Sequence, residues 1–406
     1  MLTRTVLKDE WDRVKRYASW MRSMSPFVTV AVPDDVFRQL SFATSGGPVC
    51  PQLQHLTWIS AWGWDHSRKF LSSHLVSVFF WQDLADIRAN LALAAAISPL
   101  PTTHLQKLIL SGYLQGTAPI HLTLSKVVQQ LNVCFKQIDA RSSLSDAAWG
   151  HLASLPKLES LSLSNTPSIE VLKSIPHEPT FPALKCMTLE LDSRRQHLQV
   201  VFPLLKSSPL QEVTIKESLR IRHDDVPSEV AIALIRAELH QRINTLVFTG
   251  FHPVNLTFVS HLGPFNSLET LVCDTQCHDP GECAFPLTDS DIERLANGLP
   301  QLLTLRLGHE CEYGHYNLTI KSMISLSTHC LSLDTLYLPC DLTNTSEDAK
   351  TESGEPDPRL EIQSSCMLRN LAHQWVTVPP RDDTEALKIV TSALRHLFPQ
   401  LQPIWE

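Results

Sequence analysis

Cysteine and histidine side chains gather in two neighbouring segments of the sequence, and side chains of these types can bind a metal ion. They are Cys273, Cys277, His278 and Cys283 in the first segment and His309, Cys311 and His315 in the second. Structural zinc sites use four thiolate or imidazole ligands. However, the Cys-x3-Cys-x5-Cys spacing differs from standard zinc-knuckle spacings, so the sequence favours ordinary core and loop cysteines over a zinc site or a redox pair. We therefore predict no metal site and no cofactor.

Motifs that would support catalysis are missing from the sequence. It has no Gly-x-x-x-x-Gly-Lys-Ser/Thr phosphate loop, no Gly-x-Gly-x-x-Gly fingerprint, no Gly-x-Ser-x-Gly elbow and no His-Glu-x-x-His pair. The 18 histidines are dispersed, and outside a motif such side chains are usually surface groups or hydrogen-bonded partners. We predict that the chain is not an enzyme and has no catalytic residue.

The composition is that of a folded, acidic chain. Of 406 residues, 43% are hydrophobic and 19% are charged, which supplies ample core material. The net charge is −8 and the pI is about 6.1. A general nucleic-acid binder usually carries a basic face, so we predict no nucleic-acid partner.

The N-terminal residues do not resemble a secretion signal. Residues 1–10 include Arg4, Lys8, Asp9 and Glu10 and have no long apolar run. The most apolar stretch, Leu91–Leu100, is shorter than the roughly 18 residues that cross a membrane. We predict a cytoplasmic or nuclear protein with free thiols and no membrane partner.

A recurring apolar frame, Leu-x-x-Leu-x-Leu, predicts the strands and helices that position the cysteine and histidine residues named above. Its clearest copy is Leu158, Leu161 and Leu163, and copies begin at 53, 75, 105, 128, 158, 184, 210, 243, 268, 302, 333 and 368. The mean period is about 29 residues, which is typical of leucine-rich repeats. We predict an α/β leucine-rich repeat solenoid of about twelve irregular repeats. The fourth copy is assigned to Val128, Leu131 and Val133.

Each frame predicts one short strand, because its apolar residues alternate with a period of two. Parallel strands need a crossover, usually a helix, so we expect a curved sheet on the concave side and helices on the convex side. Two segments, 144–156 and 287–300, show such a helix. Each begins with a hydroxyl residue and Asp and ends at Leu-Pro. Thr288 and Asp291 are expected to form a capping box.

Three regions follow from this interpretation. Residues 1–50 are a helical cap whose helix spans Val6–Met21, with Val14, Ala18 and Met21 on its apolar face. Residues 51–380 hold the repeats, with a flexible acidic insertion at 341–359 that is poor in apolar residues. Residues 381–406 form a C-terminal capping helix and tail. The caps cover repeat edges that would otherwise face water.

The third, fifth and seventh frame positions point outward onto the concave face. The predicted partner-binding residues at these positions are Phe79, Trp81, Lys107, Glu212, Lys216, Asp274, Arg306 and Tyr337. Aromatic side chains and arginine dominate binding hot spots. Two alternatives remain: the cap that holds Trp11 and Trp20 covers Phe79 and Trp81, and Arg306 and Tyr337 are ordinary surface.

Frame positions lead to three further predictions about individual residues. Ile59 and Thr214 also occupy outward positions. Cys277 and Cys311 each follow their frame start by nine residues, so adjacent repeats would stack them. Cys273 occupies a core leucine position, which predicts a buried thiol.

Three kinds of motif occur together in the sequence. They are the Leu-Ser/Thr-Asp…Leu-Pro-x-Leu-x-x-Leu-x-Leu units, the C-terminal Phe398-Pro399-x-Leu401 and the N-terminal Lys8-Asp-Glu-Trp11-x-Arg13-x-x-x-Tyr17-Ala18. Together they resemble the leucine-rich repeat region of fungal F-box proteins, and the last is similar to the segment that commonly follows the F-box. The resemblance covers nearly the whole chain. It implies the substrate-recognition subunit of a Skp–cullin–F-box (SCF) ubiquitin ligase.

The F-box itself is not found in the sequence. There is no leading Leu-Pro-x-Glu helix and no Val-Cys-x-x-Trp ending, so the F-box is either truncated or lost. We therefore predict a protein-interaction module that binds an unknown protein target on its concave face. A Skp-type adaptor would bind only if an F-box lies upstream. The alternative is a repeat scaffold or decayed paralogue without a ligase link, because fold alone does not fix function.

Overall fold

Short parallel strands and helices alternate along the chain, which divides into two units. The computed structural model describes residues 8–25, 34–44, 47–82, 87–112, 118–140, 144–163, 170, 180–191, 198–217, 226–251, 256–275, 284–285, 287–308, 315–343, 368, 370–371, 376–377 and 384–401. The first unit is Met1–Leu189 with Ser207–Pro209, and the second is Glu190–Lys206 with Leu210–Glu406. The cap, repeat and cap regions at 1–50, 51–380 and 381–406 remain a prediction, and residues 344–359 of the acidic insertion lie outside the described residues.

In the first unit, strands pair in sequence order and each is parallel to the next. They are β1 (Ser23–Met24), β2 (His55–Ile59), β3 (Ser77–Gln82), β4 (Lys107–Gly112), β5 (Gln137–Ala140), β6 (Ser160–Leu163) and β7 (Cys186–Leu191). This sequential parallel pairing requires a crossover after every strand.

The second unit repeats this arrangement with β8 (Glu212–Glu217), β9 (Thr245–Phe251), β10 (Thr270–Thr275), β12 (Thr304–Gly308), β14 (Thr335–Tyr337) and β16 (Asn370–Leu371). Two short parallel pairs lie beside this order. They are β11 (Ala284–Phe285) with β13 (His315–Tyr316), and β15 (Cys340–Asp341) with β17 (Val376–Thr377).

Helices form most of the crossovers. The first unit contains α1 (Lys8–Trp20), α2 (Asp34–Ala43), α3 (Trp64–Ser67), α4 (Ile87–Ile97), α5 (Ala118–Gln129) and α6 (Asp146–Ser154). The second contains α7 (Leu198–Leu204), α8 (Val226–Arg236), α9 (Leu256–His261), α10 (Asp289–Gly298), α11 (Ile320–His329) and α12 (Thr384–Leu397). Short 3-10 turns flank α3 at Ser60–Trp62 and Arg68–Phe70.

The frame leucines form the core, as the repeat pattern predicts. Leu158, Leu161 and Leu163 are buried, and so are all six leucines of the frames that begin at 302 and 333. Full burial of one such side chain contributes about 1.5–3 kcal/mol. The predicted α/β leucine-rich repeat fold is therefore confirmed by the strand order, the crossover helices and the burial of the frame.

The frame assigned to Val128, Leu131 and Val133 is wrong. Val133 is 61% exposed, and the strand core of this repeat is formed by Phe135, Ile138 and Ala140 instead. Val128 is buried in α5 and Leu131 just after it, so the two share a helical face. The error arises because a spacing of three fits a helix as well as the start of a frame.

The two helices predicted from the duplicated segments are confirmed as α6 and α10. Ser145 caps α6 by accepting a hydrogen bond from the Ala148 N–H at 3.4 Å. Thr288 and Asp291 form the predicted capping box of α10: the Thr288 side chain accepts from the Asp291 N–H, and the Asp291 carboxylate accepts from the Thr288 N–H at 2.9 Å. Both helices end just before a Leu-Pro step.

A further carboxylate joins α10 to the following helix. Asp289 accepts hydrogen bonds from the N–H of Thr319 at 2.9 Å, from the Thr319 hydroxyl at 2.8 Å and from the hydroxyl of Ser322. Thr319 is the N-cap of α11, and its hydroxyl also accepts from the Lys321 N–H. One repeat therefore supplies the negatively charged acceptor for the N–H and hydroxyl donors at the start of the next helix.

Candidate protein-binding surfaces

Parallel register aligns equivalent outward positions of the second unit in rows across the strands. The third-position row is Glu212, Thr245, Thr270, Thr304, Thr335 and Asn370. The fifth-position row is Thr214, Val247, Val272, Arg306 and Tyr337. Neighbouring members of a row are about 4.8 Å apart, so the rows form a continuous surface.

The eight predicted binding residues all lie on the outward side of their strands, where they alternate with buried residues. Trp81 is exposed, and the other seven are half-buried. Partial exposure leaves their side-chain tips accessible while the stems are held by neighbours. That these residues bind a partner remains a prediction.

Three of the eight meet in one place, which we call the arginine cluster: Asp274, Arg306 and Tyr337. Arg306 Nη2 lies 3.3 Å from Asp274 Oδ1, and the Arg306 guanidinium carbon lies 5.3 Å from the centre of the Tyr337 ring. The three come from the adjacent strands β10, β12 and β14. The cluster therefore presents a cation, an anion and a phenol from three successive repeats.

The arginine cluster adds little to folding stability. About 36% of the Arg306 side chain and 40% of the Asp274 side chain are exposed. At this exposure an ion pair contributes about 0–1 kcal/mol, and a cation–π contact contributes about 0.5–1 kcal/mol. A covering partner would strengthen both interactions by excluding water from them.

A row of four threonines borders the arginine cluster: Thr245, Thr270, Thr304 and Thr335. All four are half-buried, and the Thr335 hydroxyl donates to Asp334 Oδ2 at 3.0 Å. This row was not predicted from the sequence. Its signal is a Thr-Leu pair at the same place in four consecutive frames.

The first unit carries an aromatic patch, which we define as Phe79, Trp81 and Ile109. The Phe79 and Trp81 rings lie 6.2 Å apart, and Ile109 is paired in register with Phe79. Trp81 is 40% exposed, so part of its ring is open to solvent, and the alternative that the N-terminal cap covers this pair stays a prediction. Phe79 is half-buried. Lys107 lies two residues before Ile109 on the same outward side of β4.

Two residues assigned to outward positions are buried instead. Ile59 is paired in register with Trp81, and Thr214 is paired with Val247. Paired side chains on parallel strands are close neighbours, so Trp81 covers part of Ile59 and Val247 covers part of Thr214. The exposed area at these two repeats is therefore smaller than the frame predicts.

Burial raises the thiol pKa of three described cysteines, Cys50, Cys273 and Cys340. Cys273 is buried at a core position as predicted, and burial raises the pKa of its thiol far above the usual range. Burial also raises the pKa of Cys50 to about 11 and that of Cys340 well above its ordinary value. A protonated thiol is a weak nucleophile and a weak ligand.

The predicted stacking of Cys277 on Cys311 lies outside the described residues, as do His278, Cys283 and His309. His315 lies in β13. Within the part of the chain that the structure describes, no three ligand-type side chains come together as a metal site. Among those same residues, no helix is long and apolar enough to cross a bilayer.

Comparison with known proteins adds one structural likeness. No family model matches the sequence, and no curated protein matches it. A solved structure that matches is the leucine-rich repeat-containing protein LegL7 from Legionella pneumophila, with 12% identity and a TM-score of 0.40. The match covers 86% of this chain and 99% of that chain. The leucine-rich repeat fold is shown by the strand order and the buried frame residues of the chain itself.

Proposed function

We propose that the chain is a protein-interaction module that binds a protein target through the outward face of its parallel strands. The arginine cluster carries this proposal. Asp274, Arg306 and Tyr337 come from three repeats, and their contacts orient the guanidinium and the phenol before any partner arrives. Arginine and tyrosine are among the residues that dominate binding energy, and preorganisation lowers the entropic cost of binding.

The threonine row suits the edge of such an interface. Its hydroxyls offer both donors and acceptors, and the short β-branched side chains lose little rotamer freedom when a partner covers them. In the first unit, the aromatic patch offers apolar area through Trp81 and Ile109. Each unit thus carries its own surface that fits a protein partner.

We further propose that target binding serves ubiquitin ligation, with the chain acting as the recognition part of an F-box receptor. Support comes from the N-terminal and C-terminal segments that resemble that group. The N-terminal segment, Lys8–Ala18, lies within α1. We assign the chain to the cytoplasm or nucleus, and the proposal includes no catalytic step by the chain itself.

Quantitative affinity purification tests target binding. The chain is expressed with a tag in cells of its own organism, under proteasome inhibition, alongside a variant carrying Arg306→Ala and Tyr337→Ala. Captured proteins are compared by mass spectrometry. We expect at least one protein to be captured reproducibly and to fall about tenfold or more in the variant, as hot-spot truncations do.

Lys206→Ala is the matched control. Lys206 forms an ion pair with Glu238 at 2.9 Å, close to the ends of α7 and α8 and away from the strand face. The control should retain the captured protein. If the double variant retains it equally well, the strand face is not the binding site. A form of the protein that includes an F-box tests the ligase role in the same assay. If that form captures targets but no cullin complex, the ligase role is refuted and target binding remains.

A further inference from the structure

Helix α1 exposes large apolar side chains that a folded chain usually buries. Tyr17 and Trp20 are 66% and 63% exposed, and Val14 and Met21 are also exposed. The Tyr17 and Trp20 rings meet edge to face, with their centres 6.0 Å apart. Residues 14, 17 and 20 lie three apart on the helix and are neighbours on its surface, and Met21 directly follows the last helical residue. We call these four residues the α1 stripe.

The exposure of the α1 stripe departs from the predicted cap. Val14, Ala18 and Met21 were expected to face inward together, but among the described α1 side chains Ala18 alone is buried. Met21 contacts another part of the first unit through its sulfur, which lies 3.7 Å from the Cys50 sulfur. Ala18 is thus buried, whereas Val14, Tyr17 and Trp20 of the same helix are exposed to solvent.

Charge around the α1 stripe is positive although the chain as a whole is acidic. Residues 13–22 contain Arg13, Lys15, Arg16 and Arg22 and no acidic residue, and all four are exposed. The net charge of the whole chain is −8. Arg13 precedes Trp20 by seven residues and Arg16 precedes it by four, which places both arginines next to the stripe on the helix surface.

We propose that the α1 stripe and its arginines bind an acidic, apolar segment of a partner protein. Large apolar residues of that segment cover Tyr17 and Trp20, and its carboxylates pair with Arg13 and Arg16. Arginine binds carboxylates through two parallel hydrogen bonds, and opposite charges steer association. This surface is separate from the strand face, so the inference does not depend on the proposed function.

Charge on the remainder of the chain argues for a protein segment over the other possible occupants. Asp9, Glu10 and Asp12 lie on the first turns of the same helix, and an anionic membrane laid along α1 would repel them as well as the acidic chain. A second copy of the chain would bring together two chains that each carry a net charge of −8. A short acidic segment meets only the basic half of the helix and avoids both costs.

Selection from a phage-displayed library of random 12-residue peptides, panned on the full chain, tests the proposal. Fluorescence anisotropy then measures the affinity of labelled selected peptides for the full chain and for two variants, Tyr17→Ala with Trp20→Ala and Arg13→Glu with Arg16→Glu. We expect selected peptides to combine Asp or Glu with large apolar residues. We also expect each variant to bind about tenfold or more weakly, since truncated aromatic hot spots and reversed charges each cost that much.

The matched control carries Leu122→Ala and Lys126→Glu on α5, where an apolar and a basic side chain are exposed in the same unit. Its affinity should stay within about twofold, as is usual for surface residues outside an interface. Circular dichroism confirms that all variants fold. The proposal is overturned if the peptides lack acidic residues, or if both α1 variants bind them normally. It is also overturned if the chain selects no peptide and instead binds vesicles containing phosphatidylserine.

Discussion

Replacing Asp289 with alanine tests how one repeat stabilises the next. The carboxylate accepts three hydrogen bonds from the first turn of α11, two from Thr319 and one from Ser322. Loss of an N-cap-type interaction costs about 1 kcal/mol. A part-buried donor left without its charged acceptor costs about 1–3 kcal/mol more. We therefore expect Asp289→Ala to lower the free energy of unfolding of the second unit by about 3 kcal/mol.

Urea denaturation followed by circular dichroism at 222 nm measures this loss. With a slope of about 2 kcal/mol per molar urea, the midpoint of the affected transition should fall by about 1.5 M. Hydrogen exchange gives a local readout, because the Thr319 amide should exchange faster once its acceptor is gone. Asp289→Asn keeps one acceptor oxygen, so its loss should be intermediate.

The control is the equivalent carboxylate of the other duplicated helix. Asp146 is exposed at the first position of α6, where Asp289 stands in α10, and its carboxylate makes no hydrogen bond to a described residue. Asp146→Ala should change the free energy of unfolding by no more than about 0.5 kcal/mol. Equal effects of the two substitutions, or unchanged exchange at Thr319 in Asp289→Ala, would refute the coupling between repeats.

Three further predictions follow from burial. Phe135→Ala should lower the free energy of unfolding by about 3–5 kcal/mol and Val133→Asp by less than about 0.5 kcal/mol, as measured by urea denaturation. A larger loss in Val133→Asp than in Phe135→Ala would favour the frame at Val128, Leu131 and Val133. Maleimide at pH 7 should leave Cys50, Cys273 and Cys340 unlabelled in the native chain, because burial raises their thiol pKa values. The same three cysteines should be labelled in urea, and peptide mass spectrometry measures both results. The folded-state pKa of Cys50, about 11, lies above its ordinary value of 9.0, so the contribution of this thiol to stability is complete below pH 9 and declines up to about pH 11. Between these limits the melting temperature of Cys50→Ala should fall less with rising pH than that of the native chain. An equal fall would contradict the raised pKa of Cys50.

The strand positions could be predicted from sequence wherever three frame residues are leucines. The frames at 158, 302 and 333 match the observed strands because no helical face produces that spacing together with the following Leu-x-Leu alternation. The frame at 128 failed because Val128 and Leu131 belong to the buried face of a helix, and the strand begins several residues later at Gln137. Single-sequence spacing cannot separate these cases, since both residues are buried in either interpretation.

The outward face was predictable in outline but its contacts were not. Period-two alternation identified the side of the strand on which Arg306 and Tyr337 lie. Their contact with each other and with Asp274 depends on the register between repeats of unequal length, which only the folded chain reveals. The α1 stripe was missed for a related reason. Helical spacing places Val14 and Met21 beside Ala18, but it does not show how much of that side the first unit covers.

The third-position row of the second unit has a consequence for how such a chain can change over evolution. Its six members lie 25 to 35 residues apart in sequence, yet they are paired one to one across the strands. Insertions and deletions are therefore absorbed between strands without shifting the alignment of any row. The crossovers can lengthen or shorten while the spacing of the face stays fixed, so new specificities can arise by point substitution on an unchanged grid of side chains.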